Sequence, residues 1–503
     1  MKTEVNEKKL EEELLKRFPG ENIKVVSAKL NESGTYKAKA DLFNKLVGIS
    51  NVISELPEYI DVRVEWCTGE FVEKIIVWSP IKWNGRFAGT AGGGTGIGGE
   101  GYLTKPDEYS RGWTVPYAVK RGYTAATADA GNGKGIRDFV LDPATGKIRH
   151  ELYENWRART THHMTVAGKA IAEILHDRPV EYSYMNGGSG GGRQSLTEAQ
   201  EYPEDYDGIW ASCPAINWNK FILGGLWPNA VMNSYNHIIK NEKIDFFMEA
   251  ARKAAGGRDS YFTSIKKPVF DAFSLVGKSV KGDKIIEKDA EVMQAIWNGS
   301  ADKNGNFLWY GFRPGVKFWS IGNPIAVFHY SFIRKKPKTL ILSTYFARWI
   351  KENPKARFEN ITIDDFEEIF KVSTTKMSDA ASDKADLTAF SERGGKLMID
   401  HGLNDPFIPV DSNIDYYNRM IGAMGQKTVD DFCRFYLTPG DGHGNCWDEE
   451  PGIILGSGID ALVDWVEKGI KPDGLEGAKV DKKTRQVLKT KTIYPVRDIK
   501  EWM

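Results

Sequence analysis

Residues 180–213 read VEYSYMNGGSGGGRQSLTEAQEYPEDYDGIWASC, and the order of their segments decides the fold. An apolar aromatic run (180–186) leads into Gly187-Gly188-Ser189-Gly190-Gly191, which fits G-x-S-x-G, and a helical run (193–202) and a second apolar run (207–213) follow. Strand, sharp turn, helix and strand in that sequence describe a nucleophile elbow. Its serine is held in a strained backbone conformation, and only very small residues two positions away let strand and helix approach. Gly187 and Gly191 supply that space. A flexible Gly/Ser linker would join polar flanks, which these are not.

Working outward, the same alternation recurs in KIIVWS (74–79), RFAGTA (86–91), YTAATADA (123–130) and the helix HHMTVAGKAIAEILH (162–176). It returns in KLMIDHG (396–402), NIDYYNRMIGAM (413–424), CRFYLTPG (433–440) and GIDALVDWVEKG (458–469). Such alternation predicts βαβ units and a parallel sheet. Between about 214 and 384 it is lost in a stretch rich in Trp, Phe, Tyr, Asn and Lys, the mark of an insertion. The expected architecture is α/β: an α/β-hydrolase core with a mostly parallel sheet and a large inserted lid. The chain is expected to divide into an N-terminal extension (1–60), a first core segment (61–213), the lid (214–384), and a second core segment with a C-terminal tail (385–503).

A serine hydroxyl is a weak nucleophile and needs an imidazole base, itself oriented by a carboxylate. After the elbow this fold orders them acid, then histidine. His443, in the glycine-rich loop TPGDGHGN after a strand, is the candidate base; His237 and His329 fall in the lid, and His401 lies too close to its own strand. Asp405, just past the carboxyl end of a strand in KLMIDHGLNDPFIP, is the candidate acid, with Asp400 and Asp441 left as alternatives. The oxyanion needs two backbone N–H donors, expected from Gly190 and from Gly93 or Gly94 in AGGGTGIGGEG (91–101). That loop also contains Gly94-x-Gly96-x-x-Gly99, and Asp129 ends the next strand, which imitates a dinucleotide fingerprint. Pro106, Gly112 and Pro116 deny the helix that fingerprint requires at Gly99.

A chain of 503 residues is longer than one core usually supports, and 41% hydrophobic with 27% charged residues is ordinary for a globular protein. Basic and acidic residues number 68 each, which argues against a nucleic-acid or anionic-membrane partner. No apolar run approaches the roughly 18 residues of a membrane span, and the amino-terminal stretch EKKLEEELLKRF is no secretory signal, so a cytoplasmic location is expected unless a signal has been removed. Cys67, Cys213, Cys433 and Cys446 show no CxxC spacing and read as free thiols. Asp302, Asn304 and Asn306 resemble a calcium loop with a misplaced glycine and read better as an Asn-Gly hairpin. No metal and no cofactor are expected. Trp227, Phe328, Tyr330 and Tyr345 are the lid aromatics singled out to stack on an aromatic acyl group.

Four stretches, WNGRFAGTAGGG (83–94), SYMNGGSGGGRQSLTEAQEYPEDYDGI (183–209), GGKLMIDHGLNDPFIP (394–409) and FYLTPGDGHG (435–444), resemble the tannase and feruloyl esterase family in order and spacing. The resemblance spans most of 60–500. It implies hydrolysis of galloyl or hydroxycinnamoyl esters, a small-molecule phenolic ester as partner, and catalytic roles for Ser189, Asp405 and His443. Many members place a cysteine just before the serine and another just after the histidine, joined by a disulfide; here those positions are Gly188 and Gly444. Fungal members carry an aspartate-rich calcium loop with no counterpart around 267–290. Of the two acids gallate is the expectation. A galloyl pocket needs buried polar lid residues for three hydroxyls, whereas a hydroxycinnamate needs a longer, more apolar slot. The rival is a catalytically silent phenol- or carbohydrate-binding protein on the same scaffold, against which the intact Ser, Asp and His speak.

Overall fold

Nine strands form one sheet: β1 (Asn22–Asn31), β2 (Tyr59–Thr68), β3 (Phe71–Pro80), β4 (Arg86–Thr90), β5 (Thr124–Ala128), β6 (Tyr182–Gly188), β7 (Gly208–Ser212), β8 (Lys396–Gly402) and β9 (Cys433–Thr438). Their order is β1-β2-β3-β5-β4-β6-β7-β8-β9. The computed structural model describes residues 5–38, 52–96, 98–131, 139–256, 268–316, 340–446 and 450–496, with the backbone alone of 329–331 and 336–338. The pairs from β5 to β9 are all parallel, whereas β1, β2 and β3 are antiparallel to their neighbours. The parallel strands are covered on both faces and are buried along nearly their whole length. The chain leaves β4 for β5 on one side and then places β6 on the other, which opens a crevice at the carboxyl ends of these strands.

The helices obey the 3.6-residue period. In α1 (Leu455–Lys468), Leu455, Ile459, Leu462 and Trp465 are the large buried side chains, one stripe facing the sheet. No helix among the described residues is long and apolar enough to cross a membrane.

The segment expected as an N-terminal extension supplies the edge strand β1. The helix Glu7–Arg17 places Leu10 and Leu14 in the same apolar core as Ile23 and Val25. Two of its carboxylates reach the strand's outer backbone: Glu11 accepts the Val25 N–H at 2.8 Å and Glu7 the Ala28 N–H at 3.0 Å. The mixed polarity of NIKVVSAKLN hides this strand from a periodicity reading, because an edge strand buries little of itself.

Between β7 and β8 the described residues are mainly helical, with helices at Trp227–Ser234, Asn241–Ala254, Glu287–Asn298, Ile341–Lys351 and Ile363–Lys376, and they make up the lid. Its core contains Phe247, Met293, Trp297 and Trp349, and also takes in Trp156 and Ile408 from the hydrolase core. Arg313 and Asp411, both buried, add an ion pair at 2.8 Å between lid and core. The fold is therefore an α/β-hydrolase core carrying a large inserted lid.

Inside the lid, the buried Lys243 ammonium stands 2.7 Å from Asp289 and 3.4 Å from Asp283, and His237 lies 2.8 Å from the other Asp289 oxygen. Lys243→Met leaves the Asp289 carboxylate buried without its main counter-charge, so a loss of about 3–5 kcal/mol is expected. Urea unfolding measures it; an unchanged midpoint would show that the pair contributes nothing. The Asp302 stretch is a hairpin, as expected: one Asp302 oxygen accepts the amides of Asn304 and Asn306 between the short strands Ser300–Ala301 and Phe307–Trp309.

Candidate active site

Ser189 sits between the end of β6 and the first turn of the helix Gly190–Glu201, with φ 64° and ψ −121°. A non-glycine residue holds such a conformation only where its surroundings fix it. Here the Ser189 N–H donates to the Ser212 carbonyl at 2.9 Å, and its carbonyl accepts the Ala215 N–H at 3.0 Å. The two flanking glycines are sterically required. A Cβ on Gly187 would lie 2.7 Å from the Ala91 Cβ and 2.8 Å from the Gly191 backbone, and one on Gly191 would lie 2.7 Å from the Ala91 carbonyl oxygen. The helix N-terminus adds partial positive charge at the serine.

Asp405 follows β8 and His443 follows β9, so both arrive at the carboxyl end of the sheet where Ser189 stands. His443 Nδ1 lies 2.6 Å from Asp405 Oδ2, and the same oxygen is 2.9 Å from His401 Nε2. The other Asp405 oxygen accepts the amides of Phe407 at 2.7 Å and Ile408 at 3.1 Å. Burial alone would raise the Asp405 pKa, but the two imidazoles outweigh it and hold the carboxyl well below the usual range. Burial lowers the His443 pKa; Asp405 opposes this and the Arg111 charge reinforces it. The alternative acids are engaged elsewhere. Asp400 accepts from Trp210 Nε1 at 2.8 Å and Ser212 Oγ at 3.1 Å, with burial pushing its pKa up to about 6. Asp441 accepts from Thr438 Oγ1 at 3.0 Å.

The glycine loop after β4 lies against the elbow. A Cβ on Gly190 would fall 2.2 Å from the Gly94 carbonyl oxygen and 3.0 Å from its nitrogen, so these two backbones touch. The Gly93 amide is already donated to Tyr102 Oη at 2.9 Å. Gln194, buried in the elbow helix, donates to the carbonyls of Gly92 at 3.1 Å and Gly96 at 3.0 Å and so fixes the loop. Gly99–Tyr102 is a single 3-10 turn and the next helix starts at Val115, while Asp129 accepts the Lys74 amide at 3.1 Å. The dinucleotide pattern thus lacks its helix, and its acid serves the sheet.

One small cavity opens beside the site and a larger one lies within the lid. Phe407, whose ring centre is 5.1 Å from that of His443, borders a narrow cleft of about 20 Å³ shared with Phe221, Trp227, Ser300, Tyr310 and Phe312. Trp227 also borders the larger cavity of about 550 Å³ with Asn298, Asp302, Phe307 and Asp364. Of the expected stacking residues, Trp227 therefore lines both cavities. Tyr345 lies beside Arg348, whose guanidinium is 5.7 Å from its ring. Phe328 and the Tyr330 side chain lie outside the described residues.

Among the described residues, two groups each bring three side chains able to hold a metal within 4.8 Å of one another, Cys213 with Asp405 and His443, and His162 with Glu198 and Asp205. In the first, burial pushes the Cys213 thiol far up, and a protonated thiol is a poor ligand. In the second, His162 is hydrogen-bonded to Asp205 at 2.7 Å, and burial beside Asp205 raises the Glu198 carboxyl strongly. All four cysteines are free thiols. Activity is accordingly expected to survive dithiothreitol, and its loss on reduction would contradict this.

Sequence reasoning missed His401, set aside for its nearness to its own strand, and its partner Asn413, whose Nδ2 lies 2.6 Å from His401 Nδ1. The spacing His401-x-x-x-Asp405 was the available signal. It also gave no reason to weigh Arg111.

Against this geometry stand the relatives. A family described as "Tannase and feruloyl esterase" matches residues 72–503. A "Probable feruloyl esterase" of Arthroderma benhamiae is 31% identical over 438 residues, covering 84% of this chain and 79% of its own. The crystal structure of feruloyl esterase B from Aspergillus oryzae superposes with a TM-score of 0.73 at 19% identity, covering 97% of this chain and 96% of that one. The tannin acyl hydrolase from Aspergillus niger gives 0.76 at 19% identity, covering 94% and 88%. The two solved structures are alike in fold, and the extent of the family match decides the rest: the chain belongs to the tannase and feruloyl esterase family and is a carboxylic-ester hydrolase.

Proposed function

We propose that the chain hydrolyses hydroxycinnamoyl esters through an acyl-enzyme on Ser189. In this reading Ser189 Oγ attacks the ester carbonyl as its proton passes to His443 Nε2, the ring nitrogen left when Nδ1 is committed to Asp405. Asp405 fixes that tautomer and stabilises the imidazolium. The amides of Gly94 and Gly190 hold the oxyanion, Gly93 being engaged with Tyr102. The alcohol departs with the His443 proton; water, deprotonated by the same imidazole, then releases the acid.

The observation that carries the choice of acyl group is the 31% identity, over 84% of this chain, to a probable feruloyl esterase of Arthroderma benhamiae. That similarity supports a hydroxycinnamoyl group over the galloyl expectation. Comparing kcat/KM for methyl ferulate and methyl gallate tests it. Ferulate should be preferred by about tenfold or more; a preference for gallate would reverse the assignment.

The base must be neutral to accept a proton, and the His443 pKa is lowered. The acid limb of kcat/KM is therefore expected below the ordinary imidazole value near 6.5, with activity persisting into mildly acid solution. A limb above that value would mean that Asp405 outweighs burial.

A further inference from the structure

We infer that Arg111 is a positioning residue that clamps the serine elbow to the histidine loop without a covalent bond. The residue before the nucleophile and the residue after the base are both glycines, and one side chain fills the space beside each. A Cβ on Gly188 would lie 2.4 Å from Arg111 Cδ and 2.5 Å from Cγ. One on Gly444 would lie 3.1 Å from Arg111 Cβ, with Cys213 Sγ and Ser212 Oγ each at 3.0 Å. At its far end the Arg111 guanidinium donates to the His443 carbonyl at 3.1 Å. The aliphatic stem thus packs on the elbow, and the charged head holds the backbone of the base.

The segment bearing Arg111 is itself anchored to the elbow. The Trp113 N–H donates to Asn186 Oδ1 at 2.9 Å, and Trp113 Nε1 donates to the Gly89 carbonyl at 2.9 Å. Its neighbour Gly112 lies close to the Gly188 amide. Arg111 therefore measures the separation of strands β6 and β9 at their carboxyl ends, the quantity that sets how His443 meets Ser189. A displacement of about 1 Å between such groups is enough to cost on the order of a hundredfold in rate.

Arg111 also acts on His443 by charge. The imidazole faces Asp405 and His401 from the β8 side, Cys213 after β7, and Arg111 from the segment before Val115. Among these the guanidinium disfavours the imidazolium, and taking it away raises the His443 pKa.

The clamp rests on the esterase reading for its effect on rate, so the test has one arm that needs no ester. Arg111→Ala and Arg111→Lys are compared with the native chain by pH profiles of kcat and KM on methyl ferulate. In parallel, the His443 imidazole is titrated by NMR in histidine-labelled protein. Arg111→Ala should lower kcat by about ten- to a hundredfold with KM little changed. Its acid limb and His443 titration should both move to higher pH. Arg111→Lys, which keeps the charge and loses the fork, should leave the titration near the native position and recover some of the rate. An unchanged kcat in Arg111→Ala, a rise in KM alone, or a His443 titration that does not move would each overturn the clamp. Failure of the native chain on every ester would instead refute the esterase reading, with the NMR arm still deciding on Arg111.

Discussion

Ser189→Ala is expected to lower kcat on methyl ferulate by about 10⁵–10⁶-fold while leaving the protein folded. In the proposed mechanism the substitution removes the attacking oxygen, whereas the amides of Gly94 and Gly190 stay in place. What survives should be the roughly 10³–10⁴-fold advantage over water that binding and the oxyanion site alone provide. Stability should hardly change, because alanine keeps the Cβ and so keeps the strain of φ 64°. Ser189→Gly makes the complementary point. It should be equally inactive yet more stable, since glycine adopts that φ without penalty and sheds strain of order 1–3 kcal/mol. A Ser189→Ala enzyme within tenfold of native kcat would place the nucleophile elsewhere.

Asp405→Asn has the second largest expected effect, a loss of about 10⁴-fold in kcat, and it should also destabilise the fold. The reason is the number of donors this carboxylate satisfies. One oxygen faces the two imidazoles, and the other faces the amides of Phe407 and Ile408. An asparagine must turn its NH₂ toward one pair or the other. Facing the imidazoles, it forces His443 toward the wrong tautomer; facing the amides, it sets donor against donor in the loop. Either arrangement leaves buried donors unmatched at about 1–3 kcal/mol each. Activity assays with thermal unfolding read both losses together. Full activity in the variant would return the role to Asp400 or Asp441.

The elbow could be read from sequence because its demands are local. A strand, five small residues and a helix are adjacent in the chain, and the steric need for Gly187 and Gly191 follows from that adjacency. Asp405 and His443 were partly legible, since each follows a strand that announces itself by its burial. The second imidazole was not. His401 meets Asp405 only because β8 ends in a turn that folds the chain back four residues on, and nothing in periodicity describes that turn. Arg111 escaped for a different reason. It lies in an irregular stretch, and its importance comes from two glycines 77 and 333 residues further along the chain. Strand β1 was hidden because edge strands carry polar residues on both faces.

That edge has a consequence for how copies of the chain behave toward one another. The outward N–H groups of Val25 and Ala28, which a second strand would seek, already donate to Glu11 and Glu7. A neighbouring molecule approaching β1 meets two carboxylates in place of free donors, and negative charge in place of an open backbone. At the opposite margin, the Val496 N–H donates to the Phe435 carbonyl at 2.7 Å, so β9 is also covered by its own chain. A nine-stranded sheet covered this way at both margins resists growing into its neighbours, and the helix Glu7–Arg17, through the carboxylates of Glu7 and Glu11, is as much a guard against aggregation as a member of the fold.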